Sequence, residues 1–224
     1  MSKKLMTGLL ALVAFAALAL PALASAKPVL KEAGTPVATG TKIVGTNVGN
    51  TVMTTSFGSV TCDTSILTGT LTVNSTASGV EGDIETARFF NKEGAQAAGE
   101  PEKECSSWTG GVSVTPNPAT NGLPWCVEAT EANDVVKLRG GSCTAEPRPI
   151  RFTLVFTTGL IGTCTYQRSA AAVGSLTTGT GEAEILAQEW TKFEGGGGCP
   201  SSGKLDMKFA METENGTALT FASS

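Results

Sequence analysis

The segment GLPWCVEATEANDVVKLRGGSC, Gly122 to Cys143, enters on Pro124-Trp125-Cys126, passes through two short strand-like runs around a polar turn, and ends on a second cysteine. Two β-prone runs separated by turn-forming residues predict a hairpin, and a cysteine near each end predicts a disulfide stapling it. Trp125 is then expected to act as a structural anchor near that disulfide, with Thr130 to Asp134 as the exposed turn. Such a unit belongs in the middle of a β domain.

The flanking sequence has the same texture. Ile43-Val44, Val52-Met53 and Val60-Thr61-Cys62 are short β-branched runs broken by Gly, Asn and Ser. Leu67, Gly69, Leu71 and Val73 alternate with Thr68, Thr70 and Thr72. Ile150, Phe152, Leu154 and Phe156 alternate with Arg151, Thr153, Val155 and Thr157. Leu205, Met207, Phe209 and Met211 do the same with Lys204, Asp206, Lys208 and Ala210. A period of two with one apolar face is the pattern of a half-buried strand. Ile84 to Phe90, Glu182 to Phe193 and Thr217 to Phe221 are further strand candidates. Asn91 to Glu104, with two Gly and a Pro, reads as a polar loop, and helical texture is nearly absent. The fold class expected is all-β: a disulfide-stapled β-sandwich or barrel-like domain of about ten or more short antiparallel strands.

The start of the chain predicts export. Lys3-Lys4 precedes an apolar run from Leu5 to Leu20, and Ala24-Ser25-Ala26 forms a small-x-small cleavage site, the three parts of a secretory signal peptide. The run is short for a membrane span, and no later stretch is long enough to be one. The expected organisation is therefore a signal peptide over 1–26, a mobile N-terminal lead-in over 27–41 and a single all-β domain over 42–224. Lys27, not a cysteine, begins the mature chain, so no lipid anchor is expected there. The 198 residues left after cleavage are enough for one core without metal or partner.

Cleavage removes Lys3 and Lys4 and no acid, which takes the net charge from −4 to −6. An acidic chain without a basic cluster lacks the Lys and Arg that supply most nucleic-acid affinity, and it is a poor match for anionic lipid. No nucleic-acid partner and no integral membrane segment are expected after cleavage.

Six cysteines, Cys62, Cys105, Cys126, Cys143, Cys164 and Cys199, all fall in the exported part. No C-x-x-C spacing occurs and no histidine is present, which argues for disulfides over a zinc or redox site. Six cysteines allow 15 connectivities. Nearest-neighbour pairing, 62–105, 126–143 and 164–199, is expected because hairpins bring sequence neighbours together. Each bridge would contribute roughly 3–4 kcal/mol in the chain-entropy account.

The absence of histidine removes Ser-His-Asp and Cys-His catalysis and the histidine-based metal sites. No catalytic residue, metal or cofactor is expected. Carboxylate chemistry survives the elimination, with Glu182 and Glu184 on one face and Glu81, Asp83 and Glu85 on another. Solvated sheet faces are the favoured reading of these acids, since surface acids are the norm. Glu100, Glu102 and Glu104 lack the spacing of a calcium loop. Gly195 to Cys199-Pro200 lacks the Lys-Ser/Thr and helix of a phosphate loop. Among the aromatic residues, Trp125 and Trp190 sit in strand-like runs and are expected in the core. Trp108, in Ser106-Ser107-Trp108-Thr109-Gly110, is the one candidate ligand-binding residue, since an exposed ring stacks on sugars. Asn74-Ser75-Thr76 and Asn215-Gly216-Thr217 match the glycosylation pattern.

Several of these features together resemble the secreted single-domain β proteins of soil actinobacteria. The likeness rests on Ala24-Ser25-Ala26, Thr61-Cys62 followed by Leu67-Thr68-Gly69-Thr70, Gly82-Asp83-Ile84 with Phe89, Gly122-Leu123-Pro124-Trp125, Cys164-Thr165-Tyr166 and Cys199-Pro200. It implies export from a bacterial cell and a sandwich or barrel-like fold, and it implies no activity or site. The expected function is a secreted, non-enzymatic β domain, structural or ligand-binding, at the cell envelope or outside the cell. The alternative is a carbohydrate-active protein, either a glycan-binding module or a carboxylate-dependent glycoside hydrolase, with a glycan or envelope component as partner. A third class, a rigid secreted inhibitor, would present Asn91 to Glu104 as its protruding loop.

Overall fold

A computed structural model describes residues 27–92, 102–116, 122–131, 133–157 and 161–222. The predicted signal peptide and most of the polar loop over 91–104 lie outside the described residues. The chain is all-β, with no helix among the described residues. Its strands are β1 (Val29–Glu32), β2 (Thr35–Pro36), β3 (Lys42–Asn47), β4 (Thr51–Thr55), β5 (Gly58–Cys62), β6 (Thr64–Ser75), β7 (Gly79–Phe90), β8 (Cys105–Ser107) and β9 (Gly110–Pro116). They continue as β10 (Trp125–Ala129), β11 (Val135–Gly140), β12 (Ile150–Phe156), β13 (Thr163–Arg168), β14 (Ala172–Thr177), β15 (Glu182–Gly195), β16 (Ser202–Thr213) and β17 (Leu219–Ala222).

The strand pairings close into two rings. In the first, β10, β11, β14, β15, β16, β3, β6 and β7 follow one another, and β7 pairs back to β10. In the second, β15, β13, β12, β9, β8, β5, β4 and β16 follow, and β16 pairs back to β15. Every pairing in both rings is antiparallel. The long strands β15 and β16 serve both, and a register shift in β15 between Ile185 and Gln188 marks the passage from one ring to the other. Closure leaves neither ring an unpaired edge, which is how all-β chains avoid edge-to-edge association.

The second ring is the more fully packed. Phe152 stacks on Tyr166 at 5.9 Å and meets Trp190 edge-on at 4.9 Å. Ile150, Leu154, Val112, Met53 and Val60 complete this core. The Tyr166 hydroxyl donates to the Pro200 carbonyl at 3.1 Å, while the buried indole N–H groups of Trp125 and Trp190 have no partner among the described residues. Aromatic packing offsets that cost. Trp125 and Trp190 are thus core residues, as their strand-like context predicts.

All three disulfides follow the nearest-neighbour order: Cys62–Cys105, Cys126–Cys143 and Cys164–Cys199. The first joins β5 to β8, and the third ties β13 to the glycine-rich turn between β15 and β16. The second closes the β10–β11 hairpin, where Cys126 faces Arg139. Arg139 donates to Glu128 at 2.7 Å and to the carbonyls of Ser142, Cys143 and Ala145, which fixes the segment after the hairpin. Asp134, in the hairpin turn, adopts φ 56°, a left-handed conformation Asp tolerates.

Residues 27–41 correct the expected lead-in. They form β1 and β2; β1 pairs with β17 in a separate three-stranded sheet, order β17-β1-β2. Val29, Leu30 and Val37 are buried. With Pro28 these are four apolar residues without a period, which give no strand signal, yet Leu30 and Val37 join Leu219 and Phe221 of β17 in seating this sheet on the open end of the first ring. The alternation over Leu67 to Val73 also breaks: a bulge between Leu71 and Val73 shifts the register, leaving Leu71 buried and Val73 partly exposed.

Candidate functional site

The inward positions of the first ring define the site. They carry Ile43 and Gly45 from β3, Leu67, Gly69 and Leu71 from β6, Val80, Gly82 and Ile84 from β7, and Val127 and Ala129 from β10. Val136 and Leu138 from β11, Leu176 from β14, Ala183 and Ile185 from β15, and Met207, Phe209 and Met211 from β16 complete the circle. Five of these positions are Gly or Ala, and a barrel wall built that way does not fill its own centre. A cavity of about 110 Å³ results.

Apolar side chains line both ends of the cavity. Leu30 of β1 and Phe221 of β17 line the end under the three-stranded sheet. That sheet is held down by Asn74 of β6, whose side chain accepts from the Leu30 amide and donates to the Leu30 and Val37 carbonyls, each at 2.8 Å. The amide nitrogen of Asn74 is fully used there, so the first glycosylation pattern reads as a structural latch. Gly179 N–H donates to the Phe221 carbonyl, and Phe221 N–H to the Thr180 carbonyl, fastening β17 to the β14–β15 turn. At the other end Leu138 and Met207 border both this cavity and a smaller one of about 40 Å³ in the second ring, and separate the two.

The cavity is apolar. Thr68, Thr70 and Asp83 border it, but their side-chain oxygens are engaged elsewhere. Thr68 bonds Thr86, Thr70 donates to Glu85 at 2.6 Å and accepts from Lys42 at 2.8 Å, and Asp83 accepts from the Cys143 amide at 2.6 Å. Among the described residues, Asp83 is the one charged residue that borders the cavity.

Of the acids considered for catalysis, Glu85, Glu182 and Glu184 are bonded to neighbouring side chains, and Asp83 to the Cys143 amide. Glu85 bonds Lys42 at 2.5 Å, and this hydrogen bond, with one from Thr70, holds its carboxyl below the usual range. Glu182 pairs with Lys208 at 2.9 Å, raising the lysine pKa, and Glu184 accepts from Ser175 at 3.0 Å. Glu102 pairs with Arg88, and Glu104 accepts from Thr157 at 2.8 Å; Glu100 lies outside the described residues. Asp83, Cys126 and Cys143 cluster, yet both sulfurs are committed to their disulfide and offer no thiolate to a metal.

Trp108, the residue singled out from sequence for ligand contact, sits in the turn between β8 and β9, on the second ring. It is partly buried, 5.2 Å from the Phe156 ring and 6.4 Å from the half-exposed Phe57 ring. It takes no part in the cavity. The cavity residues themselves went unrecognised because each is an ordinary apolar strand position, and only ring closure brings them together.

No protein-family model, curated protein or solved structure matches this chain.

Proposed function

We propose that this chain is an exported, non-enzymatic β domain that binds a small ligand inside its first ring, at the cell envelope or outside the cell. One observation carries the proposal: of two rings with eight strands each, one packs an aromatic core that leaves about 40 Å³ and the other leaves about 110 Å³ at its centre. Eight strands are the number at which a barrel interior either fills with side chains or holds one small ligand. Acids bonded to neighbouring side chains and a chain without histidine favour binding over turnover. Export is supported by the basic start, apolar run and small-residue site of residues 1–26, and by three disulfides, which persist in oxidising compartments.

The test combines thermal denaturation across a small-molecule library of mixed polarity with turnover assays on glycans and esters. At least one compound is expected to raise Tm by a few degrees, with no turnover. Hydrolysis abolished by a single Glu or Ser substitution would overturn the non-enzymatic part. A library without a stabilising compound would overturn the binding part.

A further inference from the structure

Resting on that proposal, we infer that the ligand is a compact, uncharged, apolar molecule of about benzene size, and that Ala183 sets the upper limit. Three observations converge. The first is volume. Clefts that hold drug-sized molecules measure roughly 300–1,000 Å³, whereas an aliphatic cavity of about 150 Å³ stays dry and takes up benzene or xenon. At about 110 Å³ this cavity belongs with the second kind.

The second is chemistry. A ligand carrying a charge or several hydrogen-bonding groups would lose water with no side-chain partner to replace it, because Thr68, Thr70 and Asp83 are already committed to Thr86, Glu85 and the Cys143 amide. The wall offers instead Met207 and Met211, whose flexible, polarisable side chains adapt to an apolar guest, beside the ring of Phe209.

The third is shape. The cavity is lined at one end by Leu30 and Phe221 and at the other by Leu138 and Met207. With about 110 Å³ in all between them, an extended acyl chain does not fit, so the guest is compact. Ala183, between Leu176 on β14 and Phe209 on β16, is a small residue on the wall, and a longer side chain there would project into the space the guest occupies.

Benzene is the probe. Unfolding of the full mature chain is followed with and without benzene, together with methyl NMR shifts. Benzene at about tenfold its Kd is expected to raise Tm by about 3 °C or more, and to move the methyl signals of Ile43, Leu71 and Val136 while leaving Val60 and Val112 in place. Ala183→Leu is expected to abolish both responses. Leu71→Ala enlarges the same cavity and is expected to strengthen benzene binding and admit p-xylene; it decides the matter should Ala183→Leu fail to fold. Absence of a benzene response in the wild type, or a response untouched by either variant, overturns the inference. If benzene fails while a polar library compound stabilises the chain, the ligand class falls and the binding proposal stands; if nothing stabilises it, both fall.

Discussion

The second ring places Phe152, Tyr166, Trp190 and Phe156 at its inward positions, where the first ring has Gly45, Gly69, Gly82, Ala129 and Ala183 among its aliphatic residues. Both rings have eight strands, both are antiparallel, and they share β15 and β16. Backbone closure and core filling are therefore separate properties. The same hydrogen-bonded frame becomes a nearly filled core or a lined cavity according to side-chain volume at inward positions. Disulfides follow the same division: Cys62–Cys105 and Cys164–Cys199 brace the filled ring, while the hollow ring relies on the Cys126–Cys143 hairpin and the β1–β2–β17 sheet over its end.

The largest test of this contrast compares truncations. Trp190→Ala removes a side chain 1% exposed from a packed aromatic cluster and is expected to cost about 3–5 kcal/mol. Leu71→Ala removes a wall that already borders empty space, so fewer contacts are lost, and about 2 kcal/mol is expected, at the low end for such a change. Urea unfolding measures both. Equal costs would mean that the two interiors are equally well packed, and the contrast would fail.

Tyr166 sharpens the comparison from the filled side. Burial pushes its phenol up to about 12, against an ordinary value of 10.0. A group whose folded pKa lies above its unfolded value contributes stability that is whole below pH 10 and is lost as pH rises towards 12. Two pH units correspond to about 2–3 kcal/mol in all. Tyr166 is the chain's single tyrosine, so phenolate absorbance near 295 nm reports on it alone. The native protein at pH 11 is expected to show little phenolate and the unfolded chain nearly full signal; a native midpoint near 10 would show that the ring interior is open to water.

On the hollow side, Asn74 holds the sheet over the cavity. Asn74→Ala removes hydrogen bonds to Leu30 and Val37 and leaves their backbone groups partly unpaired, at an expected cost of about 1–2 kcal/mol. Amide exchange is expected to accelerate in β1 and β17 and to stay unchanged in β12 and β13. Uniform acceleration would mean that the cap unfolds only with the whole domain.

Much of this architecture was legible in the sequence, and the missing parts share a physical cause. Ile150 to Phe156 and Leu205 to Met211 show the alternation of half-buried strands, and their apolar faces do point inward. The disulfides follow nearest-neighbour order, although only Cys126–Cys143 closes a hairpin and the other two join elements 43 and 35 residues apart. Ring closure depends on contacts such as β7 with β10 and β3 with β16, whose partners are far apart in sequence and are not encoded by any local pattern. The cavity is harder still to read, since Gly45 or Ala183 becomes informative only when the opposite wall is known. Trp108 drew attention as a large ring in loop-like sequence, and Phe156 beneath it could not be anticipated from its neighbours. Residues 27–41 are a cap whose four buried residues, Pro28, Val29, Leu30 and Val37, have no period to betray them.

The smallest expected effects give the most direct comparison, because one substitution is applied to both rings. A methyl group built on Gly45 would lie 3.3 Å from the Met211 sulfur and 3.7 Å from the Phe209 Cβ, with open cavity beyond. Met211 can shift by a few tenths of an ångström, and alanine removes the entropic penalty of glycine in a strand. Gly45→Ala is expected to stabilise the protein by about 0.5 kcal/mol. A methyl on Gly203, an inward position of the second ring, would sit 3.1 Å from both Met53 Cγ and Thr55 Cγ2 and closer still to Met53 Cε. Met53 must swing aside and Thr55 must give way as well, so Gly203→Ala is expected to destabilise by about 1 kcal/mol. Opposite signs, read from urea midpoints at constant m, would locate the difference between the rings in unfilled volume. If both changes destabilise alike, the first ring is as tightly packed as the second, and the cavity argument loses its physical basis.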